Sequence, residues 1–213
     1  MNRILVMRRE SWGFAIGSVL FALGAWPAYA SAVGERLDNL TYFVGSVFFT
    51  LAGFIQLRLS GRPVPNAESH RVERWDYWSA AVQFIGTLLF NVSTGATLIV
   101  SLTADQANQW VWRPDAFGSI AFLASSALAV LATTDTDKLW DPHARNWLSS
   151  WLNMIGSIAF GISAVGAYLD PTTGELHNAR TANLGTFVGA LCFLAAAVLA
   201  LPPKPAEERA ATT

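Results

Sequence analysis

The sequence predicts an all-α integral membrane protein with six transmembrane helices, arranged as three tandem helical hairpins with both termini in the cytoplasm. Three observations support this fold class. Of the 213 residues, 53% are hydrophobic and only 14% are charged, whereas soluble domains carry roughly 25% charged residues. The apolar residues are gathered into six long runs, and one short glycine motif recurs once in each run.

Each apolar run is near the roughly 20 residues that a helix needs to cross about 30 Å of hydrocarbon. Pairing neighbouring runs predicts hairpin repeats at 12–59, 76–133 and 147–201 within a single membrane domain, 1–213, and a disordered cytoplasmic tail at 202–213. In chain order the runs cover 12–30, 40–59, 79–102, 116–133, 147–169 and 183–201.

The basic residues predict the orientation of the helices. Only Arg36, Arg113 and Arg180 fall on one side of the predicted membrane, so the other side is cytoplasmic by the positive-inside rule and holds both termini. We therefore expect a multi-pass protein of the inner (plasma) membrane. The remaining eleven of the fourteen basic residues are Arg3, Arg8, Arg9, Arg58, Arg62, Arg71, Arg74, Lys138, Arg145, Lys204 and Arg209.

The N-terminus has two interpretations. Basic residues, an apolar stretch and then Ala28-Tyr29-Ala30 match the outline of a cleavable secretory signal. However, the first run carries the same motif as the other five, and its removal would leave the second run without a hairpin partner. We therefore expect residues 1–30 to be retained.

The recurring motif is an apolar residue, a glycine, and then serine or threonine. Consecutive motif glycines are 28, 41, 32, 38 and 29 residues apart, so short and long gaps alternate and the repeating unit is a hairpin. Small residues let helix backbones approach in lipid, which favours a helix-packing role over direct ligand binding. Phenylalanine follows four residues later in five copies, but Gly189 takes that place in the sixth. The motif glycines are Gly17, Gly45, Gly86, Gly118, Gly156 and Gly185.

A basic residue lies one to three positions before a tryptophan at the predicted cytoplasmic start of each odd-numbered apolar run. Tryptophan prefers the headgroup level of a bilayer, and arginine can reach anionic phosphates. These positions are therefore interfacial anchors or, on a sharper interpretation, lipid-headgroup contacts. The three pairs are Arg9 with Trp12, Arg74 with Trp75, and Arg145 with Trp147.

Tandem hairpins that carry Gly-Ser-x-x-Phe in both helices resemble the YrhK-like domain family of small bacterial membrane proteins. The resemblance covers most of the chain as three copies, and it implies a membrane location and a hairpin fold. It brings no activity and no catalytic residues.

Polar side chains in the interior of the runs are uncharged, which argues against proton-coupled transport and voltage sensing. The deepest is Asn91, for which an interhelical hydrogen bond competes with a place in a solute site. The candidate polar intramembrane site consists of Asn91, Thr94, Asn153 and Ser125.

The loop between the fourth and fifth runs places Asp135, Asp137 and Asp141 close to His143. Calcium loops need a central glycine and a distal glutamate, both of which are missing here, so we expect no metal site and no cofactor. Asp76 is interpreted as a helix cap at the start of the third run.

We therefore expect a non-enzymatic structural or interaction module whose partners are membrane lipids and either itself or another membrane protein, with no nucleic acid. The alternative is a conduit for a small solute along a pseudo-threefold axis. A lipid-modifying enzyme ranks third, because only Asp141 with His143 approaches a catalytic pair.

Overall fold

The computed structural model describes residues 3–59, 61–99, 102–134 and 144–202. Six helices in this part of the chain are long: α1 (Arg3–Gly24), α3 (Glu35–Phe54), α4 (Arg71–Ala96), α6 (Arg113–Thr134), α7 (Arg145–Gly166) and α8 (Ala179–Ala200). Two are short, α2 (Pro27–Val33) and α5 (Ala104–Ala107). A π-helical turn, Ile55–Leu59, extends α3, and a second, Asn108–Trp112, joins α5 to α6.

The six long helices form a closed ring. Each packs against its neighbours in the chain, and α8 returns to pack against α1. Along the first pair, Gly13 lies against Ala52 and Gly24 lies against Tyr42, so contacts that advance along α1 move backwards along α3. The pairs α1 with α3, α4 with α6, and α7 with α8 are antiparallel and share the largest interfaces.

Six buried phenylalanines fill the centre of the ring, one from each long helix. Three of them, Phe21, Phe90 and Phe160, form a triangle with ring centroids 5.8 to 6.1 Å apart. The other three, Phe49, Phe122 and Phe193, form a second triangle at 5.5 to 6.5 Å. Because each triangle joins helices that are not neighbours, the rings meet across the axis. We call the two triangles the Phe double layer.

The Phe double layer indicates a different glycine for the sixth copy of the motif than the sequence pattern did. In the first five copies the layer residue follows the motif glycine by four positions, and Phe193 follows Gly189 by four. Gly156 and Gly189 face each other, since a Cβ at either would lie 3.0 Å from the carbonyl oxygen of the other. Gly189 therefore takes the place expected for Gly185. The sequence pattern placed the sixth glycine one helical turn too early, because Thr186 after Gly185 matches the serine or threonine of the motif.

The outward faces of the helices carry large exposed apolar side chains, such as Ile85 and Ile155, which are 54% and 49% exposed. Four helical segments of the described chain are long and apolar enough to cross a membrane, or five if the bent pair α1 and α2 counts as one span. Helix α4 is 26 residues long, but Gln83 and Asn91 lower its hydropathy. These helices indicate a membrane protein. The four segments are Glu35–Leu59, Ala104–Thr133, Arg145–Gly166 and Ala179–Ala200.

The first apolar run is not one straight helix. Helix α1 ends at Gly24, and α2 leaves it at an angle of 80°. Pro27 is the first residue of α2, and Trp26 before it is extended, with φ −90° and ψ 112°. Proline disfavours the helical conformation for the residue before it. A continuous span over 12–30 was therefore wrong.

Candidate functional site

A cavity of about 420 Å³ lies inside the ring at the end where α1 begins and α8 finishes. Five of the long helices, α1, α4, α6, α7 and α8, and the π-helical turn that extends α3 contribute to its wall, and we call it the vestibule. Its floor includes Phe14 and Phe193, so it stops where the Phe double layer begins. The polar side chains in its wall are Glu10, Ser11, Gln56, Arg62, Asp76, Ser79, Gln83, Thr133, Asn146, Ser149, Ser150 and Asn153.

Charged groups gather on one side of the vestibule. Arg62 Nε lies 2.8 Å from Asp76 Oδ2, and Arg62 Nη1 donates a hydrogen bond to the carbonyl oxygen of Gln56 at 3.1 Å. Glu10 interacts electrostatically with Arg62 and Asp76, and its carboxyl hydrogen-bonds to the Gln56 side chain. Two carboxyl groups and one guanidinium therefore share this wall.

The opposite wall is uncharged. On α7 it consists of Asn146, Ser149, Ser150 and Asn153, whose spacing of three, four and seven residues places them on one helix face. Ser149 Oγ donates to the carbonyl oxygen of Ala196 at 3.2 Å. Neutral donors and acceptors thus face the charged groups across the cavity, and this arrangement can hydrogen-bond a small polar solute.

Asp76 does not cap a helix. Helix α4 begins at Arg71, where His70 N donates to Glu73 Oε2 at 3.2 Å, so Asp76 lies inside the helix and turns toward Arg62. The interpretation of Asp76 as a cap was wrong. The apolar run starts later than the helix because the first two turns of α4 carry charged residues.

Glu10 is a charged residue of the vestibule wall that sequence reasoning missed. It precedes the first apolar run, yet α1 begins at Arg3, so the carboxyl stands two turns inside the helix. The helical spacing of Met7, Glu10, Ser11 and Phe14, all of which line the vestibule, is the signal that could have found it.

The candidate polar intramembrane site is not one site, because Asn91 and Thr94 lie between α3 and α4. Ser46 Oγ donates to Asn91 Oδ1 at 2.9 Å and lies 2.8 Å from Thr94 Oγ1. Asn91 Nδ2 donates to Thr50 Oγ1. Neither Asn91 nor Thr94 lines the vestibule. This cluster joins two neighbouring helices.

Ser125 and Asn153 lie elsewhere. Ser125 Oγ donates to the carbonyl oxygen of Ser79 at 2.8 Å, and Ser79 Oγ donates to that of Ser125 at 2.9 Å. This reciprocal pair joins α4 to α6. Of the four residues, only Asn153 lines the vestibule.

The motif glycines lie at helix contacts. A Cβ at Gly17 would be 2.9 Å from the carbonyl oxygen of Gly45, and one at Gly86 would be 2.6 Å from Phe122 Cδ1. A Cβ at Gly185 would be 2.7 Å from the carbonyl oxygen of Ala159. The remaining glycines, Gly45, Gly118 and Gly156, meet neighbouring helices at 2.9, 3.3 and 3.0 Å.

The three Arg–Trp pairs differ from one another. Arg74 donates to the carbonyl oxygens of Asn66 and Ala67, each at 3.0 Å, and Trp75 stacks under Arg71. Arg145 donates to the carbonyl oxygen of Leu199 at 2.8 Å. Its partner Trp147 is only 6% exposed, whereas Trp12 is 54% exposed.

The loop from Asp135 to His143 lies outside the described residues. Within the described ranges, no group of three or more histidine, cysteine, aspartate or glutamate side chains could hold a metal ion.

Comparison with protein-family models, with curated proteins and with solved structures found no match to this chain.

Proposed function

We propose that the chain is a non-enzymatic module of the bacterial inner membrane, which spans the bilayer six times and binds a small polar solute in the vestibule without conducting it. The observation that carries the proposal is the contrast along the axis of the ring. A polar cavity occupies one end, and the Phe double layer fills the middle. The three antiparallel pairs also support the proposed relationship to the YrhK-like domain family.

The ring supports the proposal of six spans, although α4 is more polar than its neighbours. The second half of α4 packs along α3, from Phe84 beside Gly53 to Thr97, whose carbonyl oxygen accepts from Asn39. This contact with a neighbour that is long and apolar enough to span supports a membrane-spanning α4. Met7 and Ala200 both line the vestibule, so the two ends of the ring sequence share one side. The distribution of basic residues supports a cytoplasmic location for this side.

Binding without conduction follows from the cost of crossing the Phe double layer. A solute that entered it would lose the hydrogen bonds of the vestibule, and an unpaired polar group in an apolar environment costs roughly 2–7 kcal/mol. All six rings are 6% exposed or less. The layer therefore acts as a barrier in this conformation.

The conduit remains the second candidate, because the vestibule lies inside the ring and is lined by five of the long helices and by the turn that extends α3. A conduit would need a second conformation in which the two Phe triangles separate. The two functions differ in the sides from which the vestibule can be reached.

Labelling of an introduced cysteine distinguishes them. In a Cys192→Ala background, Asn153→Cys places a thiol in the vestibule, and Thr94→Cys places the control thiol in the buried cluster between α3 and α4. A membrane-impermeant thiol reagent is applied to inverted vesicles and, separately, to intact spheroplasts. We expect Asn153→Cys to react only in inverted vesicles and Thr94→Cys to react in neither.

Reaction of Asn153→Cys from both sides would favour the conduit, and reaction from neither side would refute an open vestibule. Flux of a small polar dye from proteoliposomes is the companion measurement. We expect no flux from the parent protein and measurable flux from a Phe90→Ala/Phe122→Ala variant that still melts cooperatively.

A further inference from the structure

A groove of about 400 Å³ runs along the outer face of the ring between α1 and α3. Apolar side chains form its walls, among them Ile16, Phe48, Leu51 and Ile55. Arg8, Arg9 and Trp12 stand at the cytoplasmic end of α1. We call this feature the α1–α3 groove, and it is separate from the vestibule on the inner side of the ring.

Small residues make the floor of the groove. A Cβ at Gly13 would lie 2.9 Å from Ala52 Cβ, so the two helices touch there without any long side chain between them. Larger side chains on either side then stand above the floor. From Arg8 to Ile16 the groove follows α1 for about 12 Å, at 1.5 Å per residue, which is most of one leaflet of a hydrocarbon core about 30 Å thick.

The positive charge of the groove favours an anionic ligand. Arg8 and Arg9 both line it, and no acidic side chain does. The nearest carboxyl in α1, that of Glu10, lines the vestibule instead. Trp12 is 54% exposed beside the two arginines, at the level where tryptophan meets phospholipid headgroups.

The other two Arg–Trp pairs have different surroundings. Arg74 is bonded to backbone carbonyl oxygens of its own loop, and Arg145 is bonded to the end of α8. Trp147 is packed inside the protein. The first pair combines exposed Arg9 and Trp12 with an adjoining apolar groove.

We propose that the α1–α3 groove binds an anionic phospholipid, with one acyl chain in the trough and the phosphate held by Arg8 and Arg9. The site is independent of the solute proposed for the vestibule. It makes the first hairpin the lipid-binding member of the three.

Native mass spectrometry of the full chain in detergent tests this site, with phosphatidylglycerol and phosphatidylcholine of identical acyl chains as probes. We expect one tightly bound phosphatidylglycerol per chain and weaker binding of phosphatidylcholine. The double variant Arg8→Gln/Arg9→Gln should weaken phosphatidylglycerol binding about 30-fold, since each arginine near an anionic headgroup contributes roughly fivefold. The control Arg36→Gln/Arg180→Gln, on the opposite side, should leave it unchanged.

A matched pair tests the trough itself. Leu51 and Ile85 are both 54% exposed, but only Leu51 lines the groove. Leu51→Trp should therefore reduce phosphatidylglycerol binding, and Ile85→Trp should not, with melting temperatures used to exclude misfolded variants. Equal binding of both lipids by the parent would overturn the proposal, as would full binding by folded Leu51→Trp or by the double arginine variant.

Discussion

At the scale of single residues, the glycines of the ring are distinguished by what surrounds them. Gly156 and Gly161 lie on the same helix, five residues apart. A Cβ at Gly156 would meet the carbonyl oxygen of Gly189 at 3.0 Å and Cys192 Cβ at 3.2 Å, whereas no described atom lies within 4 Å of one at Gly161. Backbone atoms of a packed helix cannot move aside as a flexible side chain does.

The two glycines should respond differently to the same substitution. Gly161→Ala should be neutral or raise the free energy of unfolding by about 0.5–1 kcal/mol, because alanine loses less backbone entropy than glycine in a helix. Gly156→Ala should lower it, and Gly156→Leu and Gly86→Leu should lower it by roughly 1–3 kcal/mol through overpacking. Denaturant titration in detergent measures the difference. Equal stabilities for the two alanine variants would contradict the packing role.

Asparagines that sequence analysis placed in one site have different surroundings. Asn91 bonds to Ser46 and Thr50 on the neighbouring helix, whereas Asn153 lines the vestibule. We expect Asn91→Ala to destabilise the bundle by roughly 1 kcal/mol, the usual contribution of an interhelical hydrogen bond. Asn153→Ala should leave the free energy of unfolding within about 0.5 kcal/mol of the parent. A larger loss of stability for Asn153→Ala than for Asn91→Ala in the same titration would reverse this assignment.

At the scale of elements, the apolar runs located the long helices but not their ends. Hydropathy reports the part of a helix that faces lipid, and polar turns that face the interior or the headgroups do not contribute to it. Helix α4 therefore begins at Arg71 rather than at residue 79, and Glu10 was left outside the first run. The motif identified five of the six residues of the Phe double layer. Phe193 was not identified, because the last copy was aligned on the threonine after its glycine and not on the phenylalanine.

At the scale of the whole molecule, α1 is needed to close the ring. It packs against both α3 and α8, and Phe21 belongs to one triangle of the Phe double layer. A chain that began at Ser31 would lose this ring and open the interior between α3 and α8. The packing of α1 supports the expectation that residues 1–30 are retained, because a cleaved signal peptide would not form part of the packed core of the mature protein.

We predict that mass spectrometry of the purified protein finds residues 1–30 in place, and that a chain lacking them gives no cooperative melt. Reporter fusions after Leu169 and at Thr213 should report opposite sides of the membrane, with Thr213 in the cytoplasm. A mature N-terminus at Ser31, together with a cooperative melt, would refute the retention of α1.

The two Phe triangles also fix how many hairpins this architecture can contain. In an open stack each repeat contacts only its neighbours, so copies can be added or lost one at a time. Here each hairpin supplies one corner of both triangles, and the corners meet across the axis. A fourth hairpin would widen the ring and leave a central hole, and two hairpins would leave each triangle without a corner. We therefore expect gain or loss of a single hairpin within this chain to disrupt both triangles at once, rather than to lengthen or shorten the bundle by one repeat.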